Sequence, residues 1–468
     1  MAAPDQEFQV IVIGGGPGGY VAAIRAAQLG RKVAVVERDR LGGVCLNWGC
    51  IPTKALLRNA EVLSLAQRGE EFGLQIQGLT ADYRKAQVRS RQVADRLTRG
   101  IAFLMRKNHI TVVAGAAQLR TSTHVEVQAT DGGTAQVLEA EHLILATGSR
   151  ERLLPGVTVD GRRVWTSYEA LQVEAAPESL IIIGAGAVGV EFASVFATYG
   201  TRVTLIEMLP MLVPLEDPEI AEVLEHSFRQ RGMQIITGTK VEKVEVSDHE
   251  VHVIVASPQG MQELSAAALL LAVGRSPNTE ALGLGMVGVA VEHGFVQVNS
   301  SQQTNIPNIY AIGDVAGPPL LAHKAMAEGM IAAEHLVGRT PKPLERTNIP
   351  NCTYCSPQVA SIGLTELRAR ETGREVKVGK FPFRASGRAL AMAETEGLVK
   401  FVVDAKFGEI LGVHIAGPEA TEMIAEVAAL KTLEATIDEL FLTVHAHPTL
   451  AEALLEAALA ADGRAVHL

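Results

Sequence analysis

Cysteine is scarce in this chain. Four residues in 468 are too few for the bridge framework of a secreted disulfide-rich protein, which points to a reducing setting, the cytoplasm. A basic excess is missing too. The net charge is -10 and is not gathered into runs, so no concentrated positive face is expected for nucleic acid or an anionic membrane. The opening MAAPDQEFQV has no charged segment followed by an apolar stretch, and no signal peptide is expected. Long apolar runs are absent but for Leu180 to Ala197, which Gly184, Gly186, Gly189 and Glu191 interrupt. It reads as a buried strand, a tight turn and a helix start rather than a membrane span. With 47% hydrophobic and 20% charged residues, the composition is that of an ordinary globular protein. The length exceeds what one core usually supports, so three or four domains are expected.

An internal repeat sets the architecture. A β-rich run from Phe8 to Ile13 ends in Gly14-Gly15-Gly16-Pro17-Gly18-Gly19. An Ala-rich helical pattern follows and stops at Gly30, and a second β run, Lys32 to Val36, ends at Glu37. Adding 170 to each number gives strand Leu180 to Ile183, glycines 184, 186 and 189, a stop at Gly200, strand Arg202 to Ile206, and Glu207. Strand, glycines, helix, strand and acid at matched offsets, twice, predict two Rossmann-type βαβ units in an α/β chain. Gly14 and Gly184 permit the tight turn, Gly16 and Gly186 admit a pyrophosphate, and Gly19 and Gly189 let helix and strand pack closely. The phosphates then sit at a helix N-terminus. Glu37 and Glu207 are placed to accept hydrogen bonds from ribose hydroxyls. Glu207 selects NAD over NADP at the second site: it repels an added phosphate, and no arginine lies between Ile206 and Pro218 to receive one.

Two of the four cysteines fall just after the first unit, in Gly42-Gly43-Val44-Cys45-Leu46-Asn47-Trp48-Gly49-Cys50-Ile51-Pro52-Thr53-Lys54. On an ideal helix a spacing of five turns the side chains roughly 140° apart, so pairing Cys45 with Cys50 requires distorted backbone, for which Gly49 supplies freedom. A distorted disulfide beside a nucleotide suits one that is opened and closed repeatedly. The first site should therefore hold the cofactor that exchanges electrons with sulfur, for which flavin is the usual candidate.

Leu143 to Gly148, which includes Thr147, and Leu269 to Gly274 read as apolar strands ending in glycine that close the two sheets. Ile309 to Asp314 is another strand delivering an acid, read as a ligand for a flavin ribityl chain. After Pro341-Lys342-Pro343, β-rich runs and helical patterns alternate as an α+β module. It carries His445-Ala446-His447-Pro448-Thr449-Leu450-Ala451-Glu452, where Glu452 is placed to reach back and orient the ring of His447. Cys352 and Cys355 form a CxxC with no second pair or nearby histidines. Interior packing is expected there, and no metal.

GGVCLNWGCIPTK, the two fingerprints, the AIGDV segment and HAHPTLAE together resemble the flavoprotein disulfide reductases, over essentially Phe8 to Glu452. The resemblance is nearest to the members that oxidise dihydrolipoyl groups for 2-oxo acid dehydrogenase complexes. It implies an FAD-binding domain over 1–148, an NAD-binding domain over 149–275, a central domain over 276–345 and a dimerisation domain over 346–468. Thr147, Gly148, Lys54 and Asp314 would join the FAD site, and Gly274 the NAD site. Cys45 would exchange with substrate sulfur, Cys50 would lie against the flavin, and Lys54 would pair with Glu191. In a homodimer, His447 and Glu452 of one subunit would serve the dithiol of the other. The implied substrate is a dihydrolipoyl domain or dihydrolipoamide itself, and the implied docking partner is the peripheral-subunit-binding domain of an E2 component. A glutathione-type reductase is the alternative, but it uses NADPH and would want arginines where Glu207 stands.

Overall fold

The computed structural model describes residues 5–130, 132–257 and 260–468. They form two compact units, the first drawn from residues up to 55, 87–152 and 275–344, the second from 56–86, 153–274 and 345–468.

The first unit opens with strand β1 (Gln6–Ile13), helix α1 (Pro17–Gln28) and strand β2 (Val33–Glu37). Two helices, α2 (Gly43–Trp48) and α3 (Cys50–Gln67), abut at Gly49, and the long α4 (Tyr83–Lys107) leads to strands β3 (Thr111–Ala114), β4 (Ala116–Leu119), β5 (His124–Gln128) and β6 (Gln136–Leu145). The sheet runs in the order β3-β2-β1-β6-β5-β4, with strand Ile309–Ala311 also on β6. From β3 through β6 and onto Ile309–Ala311 the pairing is parallel, with Val10 opposite both Val33 and His142. Val10, Ile11 and Val12 are fully buried, as an unbroken apolar run is when helices cover both faces of a parallel sheet.

The second unit repeats this plan. Strands Gln234–Ile236, Arg202–Ile206, Ser179–Ile183, Ala268–Leu271 and Val164–Trp165 pair in that order, all parallel. Leu180 to Ala197 thus divides into a buried strand and the helix Ala187–Thr198. Among the described residues no helix is long and apolar enough to cross a membrane. A separate antiparallel sheet follows in the order Asn351–Thr353, Gln358–Gly363, Ile410–Gly417, Leu398–Asp404, Val376–Pro382. Helices Ala420–Thr432 and Glu452–Ala461 pack on it around a core that includes Phe381, Phe401 and Leu454.

Candidate active site

The two glycine turns are near copies. Gly14 and Gly184 adopt φ of +107° and +100°, which only glycine takes without strain. A Cβ on either would lie 2.2 Å from the carbonyl oxygen of Ala146 or 2.4 Å from that of Ala272. Gly19 and Gly189 would each put a Cβ 1.9 Å from the carbonyl oxygen of the glycine opening the turn. Gly16 and Gly186 cap the helices with no side chain over the N-terminus, so an anion can reach the helix N–H groups. Both acids meet the turn as well. One Glu37 carboxylate oxygen accepts from the N–H of Gly15 at 2.7 Å and the other from Asp39 at 2.9 Å. Glu207 does the same with Ala185 at 2.7 Å and Leu209 at 2.9 Å. An ionised carboxylate offers about four acceptor sites, so each retains capacity for ribose hydroxyls while it braces its own turn, a second role not read from the sequence.

The dithiol segment lies on the first turn. The N–H of Gly42 donates to the carbonyl of Gly15 at 2.8 Å, and a Cβ on Gly43 would sit 2.7 Å from the Cα of Gly16. Only glycine permits that approach. The helix breaks at Gly49, with φ −148° and ψ −113°, so Cys45 lies within α2 and Cys50 begins α3. The two half-buried thiols are side by side. The hydrogen bond with Cys50 raises the pKa of Cys45 well above the usual thiol range. Burial and the Cys50 and Asp314 charges add to the rise, and Lys54 opposes it. Tyr20 of α1 also borders Cys45: burial, then the thiol's charge, hold its hydroxyl above its ordinary pKa.

Asp314 follows strand Ile309–Ala311 and accepts from the Ser149 hydroxyl at 2.5 Å. Ser149 Oγ in turn accepts from Arg275 Nε at 2.7 Å. Thr147 and Gly148 are tied to Asn278: the Thr147 hydroxyl donates to its carbonyl at 2.7 Å, and its N–H donates to Gly148 at 2.9 Å. The sequence reading missed what holds Asp314. Lys324 and Glu328, both fully buried, pair at 3.1 Å. Lys324 Nζ donates to the carbonyls of Gly313 at 3.1 Å and Gly317 at 2.6 Å, and Glu328 accepts from the N–H of Gly313 at 2.7 Å. A lysine and a glutamate four apart in the Ala-rich helix Ala322–His335 were the available signal.

In the second unit, His447 Nδ1 and Glu452 Oε1 are 2.8 Å apart, and the other Glu452 oxygen accepts from the N–H of Thr449 at 2.7 Å. Burial works to raise the Glu452 pKa, but these two hydrogen bonds outweigh it and hold the carboxyl below its ordinary range, so the acid stays ionised beside the imidazole. The His447 side chain is 80% exposed, open on the side away from Glu452. His445 is turned inward against Glu426 at 2.8 Å. Glu191, buried, accepts from the N–H of Tyr354 at 2.9 Å. Gly274 has φ +102° and follows strand Ala268–Leu271. Cys352 packs on one hydrophobic core and Cys355 belongs to another, the interior packing expected of them.

A family model described as pyridine nucleotide-disulphide oxidoreductase matches residues 8–329, and the dimerisation domain of the same family matches residues 349–458. A protein named dihydrolipoyl dehydrogenase from Rhizobium etli is 45% identical over 478 positions, covering 99% of each chain. One of that name from Zymomonas mobilis is 46% identical, covering 98% of this chain and 99% of its own. Among solved structures, LpdA from Mycobacterium tuberculosis superposes with a TM-score of 0.90 at 28% identity, covering 96% of this chain and 99% of its own. The HOCl-induced flavoprotein disulfide reductase RclA from Escherichia coli, as its Cu(II) complex, gives 0.87 at 29% identity, covering 97% and 99%. The chain belongs to the pyridine nucleotide-disulphide oxidoreductases and carries the dimerisation domain of that family.

Proposed function

We propose that this protein is a dihydrolipoyl dehydrogenase, oxidising dihydrolipoyl groups with NAD through the Cys45–Cys50 pair and FAD. The observation that carries this reading is the seat of the dithiol helix on the first fingerprint turn, Gly43 against Gly16. Gly14, Gly16, Gly19, Glu37, Lys54, Thr147, Gly148 and Asp314 would hold FAD, and Gly184, Gly186, Gly189, Glu207 and Gly274 would hold NAD. Bound there, FAD would supply two-electron redox chemistry between the dithiol and NAD. The protein groups handle protons and sulfur. The partner subunit's His447, kept oriented and charge-compensated by the partner subunit's Glu452, takes a proton from the substrate thiol. The substrate thiolate then attacks Cys45, the Cys45–Cys50 bond breaks, and Cys50 leaves as thiolate. The second substrate thiol displaces Cys45, releasing the cyclic disulfide and leaving the proton on Cys45. Lys54, whose charge acts on Cys45, would add to the electrostatics beside the dithiol.

The domain limits 1–148, 149–275, 276–345 and 346–468 belong to this reading, as do a homodimer, a cytoplasmic setting and docking on the peripheral-subunit-binding domain of an E2 component. The test pairs substrates with nucleotides. Dihydrolipoamide with NAD should turn over, and glutathione disulfide with NADPH should not; the reverse pattern would replace this reading by a glutathione-type reductase. His447→Ala should cut dihydrolipoamide oxidation by about 10²- to 10⁴-fold while sparing electron flow from NADH to an artificial acceptor, which needs no thiol deprotonation.

A further inference from the structure

Helix α2 carries Cys45 and has six residues, far fewer than a helix needs to hold itself in water. Glycines flank it: Gly42 and Gly43 have φ of +95° and +57°, and Gly49 leaves the helical region at the other end. A short helix between two such joints needs an outside tether to keep its cysteine opposite Cys50. One buried residue supplies it. Asn47, 1% exposed, donates from Nδ2 to the carbonyls of Leu41 and Gly43, each at 3.0 Å, spanning the joint at the helix start. Its Oδ1 accepts from Thr98 Oγ at 2.9 Å, and its backbone carbonyl accepts from Arg91 Nη1 at 2.7 Å. Arg91 and Thr98 stand seven apart on α4, two turns along one face, so α4 holds Asn47 at two points. The ring of Trp48 adds a third, with the guanidinium of Arg91 5.4 Å from its centroid and that of Arg40 5.9 Å away. The far joint is held separately, since the Gly49 carbonyl accepts from the Thr53 hydroxyl at 2.8 Å and belongs to α3.

We infer that Asn47, with Thr98 and Arg91 of α4, is a positioning set that keeps Cys45 within bonding reach of Cys50 and thereby sets the dithiol–disulfide equilibrium. The physical link is effective concentration: two thiols held together close into a disulfide more readily than two on a loosely hinged segment. Loosening the tether lowers that concentration and shifts the pair toward dithiol. This rests on the reading of Cys45 and Cys50 as a redox pair.

The test equilibrates FAD-loaded protein, without NAD, in glutathione buffers of stated ratio. Two glutathione thiols supply two electrons and two protons to open the Cys45–Cys50 bond, forming one glutathione disulfide. Acid quenching, alkylation and mass measurement count the thiols, so the readout is independent of turnover. Thr98→Val removes one hydrogen bond to Asn47 and Asn47→Ser removes the side-chain tether. Arg91→Lys keeps the charge but loses the fork. The expected result is a dithiol-to-disulfide ratio raised about threefold in Thr98→Val and about tenfold in Asn47→Ser, the latter a shift near 30 mV for a two-electron couple, with flavin content unchanged. A merely structural role would lower melting temperature or flavin content and leave the ratio alone. An unchanged ratio in flavin-loaded Thr98→Val and Arg91→Lys overturns the inference, even if Asn47→Ser fails to fold. If the unmutated protein shows no thiol–disulfide cycling at these cysteines, the proposed function falls and the inference with it, an outcome recognisable because it occurs before any substitution.

Discussion

The two fingerprints have nearly the same turn and very different surroundings. Each opens on a glycine with φ near +100°, each glutamate braces its turn through two N–H groups at 2.7 and 2.9 Å, and each third glycine lies against the first. At the first, a Cβ on Gly18 would lie 2.9 Å from the carbonyl of Ala325 on helix Ala322–His335, and Gly43 closes on Gly16. At the second, the position matching Gly18 is Val188, 38% exposed, and nothing lies within 4 Å of where a Cβ of Gly186 would be. The first turn is enclosed by its own unit and the second faces outward. An enclosed turn suits a nucleotide that stays, and an open one suits a nucleotide that comes and goes. The shared geometry fits dinucleotide binding at both turns; the difference supports the proposal of FAD at the first and NAD at the second.

The largest effect should come from exchanging these surroundings. Gly18→Val drives a side chain into backbone and should weaken FAD retention by about 10- to 100-fold, in line with an overpacking cost of ~1–3 kcal/mol, read as flavin per chain after dialysis. Val188→Gly should leave NAD kinetics within about twofold, because it vacates solvent rather than a packed contact. Equal losses from both substitutions would remove the contrast. Next comes Glu207→Ala, expected to narrow the preference for NAD over NADP by about tenfold, ~1.4 kcal/mol, in the ratio of kcat/KM values. Glu37→Ala should leave that ratio alone and speed FAD loss instead.

A smaller effect belongs to Glu216, buried in the second unit and held by Asn351 Nδ2 at 2.5 Å. Burial raises its pKa, only partly offset by hydrogen bonds from Ser361 and Asn351. A carboxyl with a raised folded pKa contributes stability below its unfolded pKa, about 4.3, and loses it as pH rises through the folded value. At neutral pH it is therefore a cost, and Glu216→Gln, which keeps an acceptor for Asn351, should raise the melting temperature by about 2–4 °C. At pH 4 the gain should vanish.

The parallel strands and glycine turns were readable because burial on both faces leaves unbroken apolar runs such as Val10–Ile13, and because pyrophosphate binding demands glycine at fixed offsets. The strands Lys240–Val246, Val251–Ser257 and Gly260–Ala266 were not read. In the first, Val241 and Val244 are half-buried, while Val246 and the charged positions are exposed, a pattern shared with surface loops. At the site, Cys45, Cys50, His447 and Glu452 stood out by residue type and spacing. Asn47 and Lys324 did not, because their importance lies in partners 51 residues away on α4 for the one and in backbone carbonyls for the other. For Asn47 residue identity carries no trace of this; for Lys324 the only trace is Glu328 four residues on.

The central claim is that the enclosed site keeps its flavin with the dithiol against it, while the open site releases its nucleotide. Anaerobic titration of the exhaustively dialysed protein tests it most directly. The account predicts about one FAD per chain and no retained NAD. Dihydrolipoamide should develop a long-wavelength flavin absorbance from the Cys50 thiolate, and NAD, not NADP, should then discharge it. A protein that emerges without flavin, or whose reduced form NADP discharges as readily as NAD, would contradict it.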